Sequence, residues 1–246
     1  MQVSKQIMNK SMGAVLLLTA LAFIGSTHAR AAQIVISGGD AGDGWTAPAS
    51  TLFAYNMGLG ATDTSIQGVN FVGWTAPGTA QTSGAITIAA TATSVYAYGG
   101  DPVYGGSTDD IAMGSMINKG FFNNANSAQG PLTFTITGLT VGASYRVDAF
   151  TLSGDGPRVG ETFTFNGVTT DSFTMGTGNS WLVQNTITAV TGGSGGQIVL
   201  DITSTSGGTP ILSGIALSLV PEPSSITLLC ISGFFAFGRA RGRLTK

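Results

Sequence analysis

Two carboxylates flanking a scissile bond are what a glycosidase uses, one as acid and the other as base or nucleophile. Glu161 and Asp171 are the pair in this chain that spacing brings closest to that arrangement. Glu161 opens a predicted strand, and Asp171 falls across the hairpin that follows. Strand spacing alone does not place two groups around a substrate, so the plainer reading is a pair of solvated strand residues. Asp40 and Asp43, in Asp40-Ala41-Gly42-Asp43-Gly44-Trp45, could supply part of a calcium site, which needs several oxygen ligands. Asp and Gly are also ordinary turn residues, and the stretch lacks a longer acidic series. Asp101, Asp109 and Asp110 admit the same two readings. Flat rings that stack on sugar faces form a third class. Tyr104 and Trp181, set among Gly, Asp, Asn and Ser, are expected on loops, as low-ranking glycan-binding candidates. Trp45, Trp74, Tyr96 and Tyr98 are expected mainly to fill the core.

Other chemistry is excluded by composition. The one histidine is His28 and the one cysteine Cys230, both in terminal segments. The middle therefore has no disulfide, no Cys/His zinc site, no Ser-His-Asp triad and no cysteine nucleophile. No catalytic residue or cofactor is assigned, calcium excepted as a possibility, and the chain is read as a non-enzyme.

Its 246 residues are 43% hydrophobic and only 9% charged, with 37 glycines. That describes neither a disordered chain nor a long solvated helical bundle. From Asp40 to Glu222 run all 12 carboxylates and three of the ten cations, a net charge of −9. Such a segment offers nothing to a phosphate backbone, so nucleic acid is not a partner.

The cations gather at the ends. Lys5 and Lys10 precede an apolar run, Gly13 to Ile24, and Ala29-Arg30-Ala31 gives a small-residue cleavage site. Residues 1–31 read as a secretory signal peptide. At the other end, Pro221-Glu222-Pro223 precedes an apolar run of about 13–15 residues and then a basic stop, Arg239, Arg241 and Arg243, before Lys246. That run falls short of the roughly 20 residues of a full bilayer span, and the arginines would stay on the cytoplasmic side.

This tail, residues 220–246, resembles the PEP-CTERM sorting signal of Gram-negative bacteria. The resemblance implies an inner-membrane intermediate with a transmembrane helix and an exosortase-type processing enzyme as partner. It also implies cleavage near the motif and release to the cell surface or extracellular matrix. Exopolysaccharide-producing, biofilm-forming bacteria are the implied setting.

Between the ends, residues 32–219 read as one all-β domain, a jelly-roll-like β-sandwich. Apolar and polar residues alternate in Thr133–Thr137, in Tyr145–Ala149, in Gly196–Thr203 and in Ile215–Leu219. Asn166-Gly167 marks a tight hairpin between Glu161–Phe165 and Val168–Phe173. Gly192–Gly196 reads as a loop between strands. One short helix is expected over Asp109–Asn118. The turn Gly138-Leu139-Thr140-Val141-Gly142-Ala143-Ser144-Tyr145 and the strand pair in Gly195–Leu219 are similar to galactose-binding-like and malectin-like jelly rolls. The function expected is noncatalytic, structural or adhesive, in a surface matrix. A carbohydrate-binding module for envelope polysaccharide and a polysaccharide-active enzyme are the alternatives.

Overall fold

A computed structural model describes residues 31–36, 45–97, 104–123, 131–152, 158–175, 180–205 and 209–221. The leader to residue 30, Asp40, Asp43, Tyr98, Asp101 and the tail from Glu222 onward, with its three arginines, lie outside the described residues.

The strands in chain order are β1 (Ala32–Ile36), β2 (Thr51–Met57), β3 (Thr64–Ile66), β4 (Val69–Trp74), β5 (Gln81–Ser83), β6 (Ile86–Ala90) and β7 (Ser94–Ala97). Helix α1 (Thr108–Ile117) follows, then β8 (Lys119–Phe122), β9 (Leu132–Leu139), β10 (Ser144–Leu152), β11 (Arg158–Phe165), β12 (Val168–Thr169) and β13 (Phe173–Met175). The last are β14 (Ser180–Thr188), β15 (Val190–Gly192), β16 (Gly195–Thr203), β17 (Ile211–Leu212) and β18 (Gly214–Leu219). They form a β-sandwich. One sheet has the order β1-β14-β10-β18-β2-β4-β3, and the other β12-β11-β16-β9-β6-β5, with β13 added to β11 and β15 to β16. A small third sheet has the order β17-β8-β7.

Alternation along each strand decides which residues meet. In β9, Leu132, Phe134 and Ile136 are fully buried, while Thr133, Thr135 and Thr137 point outward. Ile198, Leu200 and Ile202 of β16 and Phe163 and Phe165 of β11 join them against Val147, Val183, Ile215 and Leu217 of the first sheet. Trp74 lies in this core, edge-on to Phe121 at 4.9 Å, and its indole N–H reaches the Ala76 and Thr79 carbonyls. Leu219 shares the parity of Ile215 and Leu217 but is 42% exposed, because it lies at the strand's end.

A second core covers the other face of the first sheet. Phe71, Phe150, Leu182 and Ala216 pack there against Trp45, Tyr104 and the α1 residues Met113, Met116 and Ile117. The first sheet is thus buried on both sides, and β2 reads as a nearly continuous apolar run rather than an alternating one.

Local signals account for the ends of elements. Ser107 caps α1 by accepting from Asp110 N–H, and Asp110 accepts from Ser107 N–H in return. Asp110 is therefore a capping residue. Asn166 and Gly167 both take positive φ, 48° and 82°, as a type I′ turn requires. The expected strand Val168–Phe173 is two short strands, since β11 shifts register between its β12 and β13 partners. Gly192 pairs with Gly195 across a tight turn, so the glycine run is a hairpin loop as expected.

Candidate functional site

The site begins with a turn. Gln67 and Gly68 join β3 to β4 with φ of 48° and 77°. For Gln67 this left-handed backbone is unusual, and tertiary contacts hold it there. Its side-chain Nε2 donates to the Trp45 carbonyl at 2.7 Å, and its Oε1 accepts from Ala47 N–H at 3.0 Å. The amide of Gln67 therefore clasps the chain just ahead of β2.

Trp45 fixes the same segment from the opposite side. Its ring is 3% exposed and lies edge-on to Phe71 and Phe150, each at 5.6 Å. Its indole N–H donates to Asp148 at 2.9 Å. Asp148 also accepts from Arg146 Nε and Gln184 Nε2, each at 2.9 Å, while Arg146 donates onward to the Thr46 carbonyl. A carboxylate 1% exposed is tolerable here because a cation and neutral donors surround it.

Ala47, Pro48 and Ala49 emerge from this clasp as one wall of a groove of about 610 Å³. Its remaining borders are β2 from Thr51 to Tyr55, the hairpin from Gln67 to Asn70 with Val72, and the edge strand β5. The opening has a topological cause. β2 and β4 pair in parallel only from Tyr55↔Val72 to Met57↔Trp74, so their leading ends are not laddered together. Across the gap, Ser83 Oγ donates to the Leu52 carbonyl at 3.0 Å. Phe53 and Tyr55 rings lie 5.3 Å apart, and Tyr55 sits edge-on to Trp74 at 5.7 Å. Burial pushes the Tyr55 hydroxyl above its ordinary pKa of 10.0.

Every described residue lining the groove is uncharged. Amides, hydroxyls and apolar walls can exchange hydrogen bonds with a ligand. They supply no carboxylate acid–base pair and no cation for a phosphate.

The expected site residues lie elsewhere. Glu161 is fully buried, not solvated, because it shares the inward parity of Phe163 and Phe165. Its register partner is Phe173, whereas Asp171 is exposed just before β13. The two carboxylates do not flank the groove. Tyr104 is not on an exposed loop surface. It is 6% exposed in the second core, with its hydroxyl on Ser180. Trp181 belongs to β14, half-buried on the face of Val183 and Ile187, with its ring 5.0 Å from Phe173. Trp45 and Trp74 fill cores as expected. Among the described residues no group of three or more His, Cys, Asp or Glu side chains could hold a metal ion.

Reading the sequence missed Gln67, Asn70 and Gln81. The dipeptide Gln67-Gly68 between two apolar stretches was the available signal, since Gly marks turns.

No family model and no curated protein matches the chain. Among solved structures, the ANXUR2 extracellular domain from Arabidopsis thaliana is similar at 14% identity and TM-score 0.53, over 70% of this chain and 49% of that one. The ANX2 ectodomain of the same plant is similar at 15% identity and TM-score 0.50, over 70% and 50%. The likeness is one of fold. This chain spans about half the length of those structures.

Proposed function

We propose that this chain is an exported, noncatalytic surface or extracellular-matrix protein that adheres to glycan through the groove on its β-sandwich. The observation that carries the reading is the groove of about 610 Å³ whose lining presents amides, hydroxyls and apolar walls without a charge. Such a surface matches the hydroxyl-rich, partly apolar faces of sugars, and concave sites with a few polar groups are where ligands bind. The burial of Glu161 away from Asp171 supports a noncatalytic role, since neither residue borders the groove.

Export rests on the leader and tail. The leader to Ala31 directs secretion, and the resemblance of residues 220–246 to a PEP-CTERM signal implies an exosortase-type enzyme as processing partner. Exopolysaccharide at the surface of a Gram-negative cell is then the glycan within reach.

A glycan array probed with the full chain, with and without calcium, tests the reading. Binding to one or more polysaccharides, indifferent to calcium, is expected. Silence across the array overturns adhesion to glycan, and release of reducing sugar overturns the noncatalytic assignment.

A further inference from the structure

We infer that the groove accepts an uncharged stretch of polysaccharide and turns away acidic chains, with Asn70 and Gln81 reading the sugar hydroxyls. This inference rests on the glycan-binding function proposed above and names the class of glycan.

Sugar hydroxyls both donate and accept, and a carboxamide offers a donor and an acceptor in one plane. Three amides border the groove: Gln67, Asn70 and Gln81. Both ends of Gln67 are spent on Trp45 and Ala47, which leaves it a positioning residue. Asn70 is exposed near the hairpin tip, on the face of β4 that also carries Val72 and Trp74. Gln81 stands half-buried on β5, the edge of the opposite sheet, with its Nε2 donating to the Thr79 carbonyl at 3.3 Å, which leaves its Oε1 to accept from a sugar hydroxyl. The two amides thus belong to different sheets, and the groove runs between those sheets. Thr51, at the head of β2, has a buried hydroxyl with no hydrogen-bond partner among the described residues. Hydrogen-bonding capacity lines this groove, and charge does not.

An acidic polysaccharide meets two penalties. A carboxylate pressed against this lining loses water and gains no cation, which is costly for a buried charge. Arg146 offers none, since Asp148 and the Thr46 carbonyl already engage it. Lys119 is no substitute, being on β8 with its ammonium on Ser115. At longer range, the net charge of −9 between residues 40 and 222, three cations against 12 carboxylates, repels a polyanion. Unpaired charge is a common way for a site to refuse a ligand.

Affinity gel electrophoresis of the full chain tests this, with neutral galactomannan and acidic alginate as probes at low and high salt. Galactomannan should retard the protein, and alginate should leave it unretarded at both salts. Asn70→Ala and Gln81→Ala should each weaken the galactomannan interaction about tenfold, roughly 1.4 kcal/mol, with thermal unfolding unchanged. Retardation by alginate that Asn70→Ala abolishes would overturn the neutral preference and leave adhesion to glycan intact. Galactomannan binding indifferent to both substitutions would place the site elsewhere, again sparing the broader function. Loss of every glycan interaction, on the gel and on the array, would remove both.

Discussion

The indole N–H of Trp45 meets the carboxylate of Asp148 at 2.9 Å, tying together positions 103 residues apart in the chain. This bond matters for function because the segment it anchors goes on, two residues later, to form a wall of the groove. Asp148 belongs to β10, an interior strand of the first sheet, so the wall is fastened to a strand paired on both sides.

Removing the cation beside Asp148 should be expensive. Arg146→Ala leaves a buried carboxylate with neutral donors only, and breaking such pairs typically costs about 3 kcal/mol or more. Urea unfolding of the variant against the parent measures it. A loss below about 0.5 kcal/mol, the size of a surface pair, would show that Asp148 gains nothing from Arg146.

Gln67 should matter more for binding than for stability. Gln67→Gly keeps a residue suited to the left-handed turn and deletes both clasping hydrogen bonds. Each is worth about 1 kcal/mol, partly offset because glycine relieves the strained φ. Galactomannan retardation should fall severalfold while the melting temperature drops by only a few degrees. Retained retardation would mean that the wall holds its position without the clasp.

Alkaline stability should report on Tyr55. Its hydroxyl pKa is raised by burial, so above pH 10.0 the unfolded chain releases this proton before the folded one does. The contribution is fully present below pH 10.0 and is lost as the pH climbs through the higher folded value. Tyr55→Phe should flatten that decline in chemical denaturation followed from pH 9 to 12. Identical slopes in both proteins would show that Tyr55 ionises equally well folded and unfolded.

The exported protein should end near Glu222. Mass spectrometry of its C-terminus, from cells with an exosortase-type enzyme, checks this directly. A product that retains Lys246 would favour a permanent anchor over processing.

Much of the fold was legible in the sequence where one sheet face meets solvent. The alternation in Thr133–Thr137 and Gly196–Thr203 marks β9 and β16 of the second sheet, and Asn166-Gly167 marks their neighbour's hairpin. Thr51–Met57 and Ser180–Thr188 were not recognised as strands. Both lie inside a sheet covered on two faces, where neighbours such as Leu182 and Val183 are buried together and alternation fades, although β10 and β18 of that sheet still show it. Glu161 was misjudged by residue type, because its parity with Phe163 and Phe165 already pointed it inward. The groove could not be read at all. It forms where β2, the β3–β4 hairpin and β5 converge, and that convergence depends on a glutamine holding a backbone conformation it seldom adopts.

The hairpin carrying Asn70 joins its sheet through a three-residue parallel ladder and a side-chain clasp. Its tip can therefore change composition while the two hydrophobic layers keep their packing. Selection for a new sugar coat would then act on exposed Asn70 and spare the scaffold, a division of labour that lets recognition evolve faster than architecture.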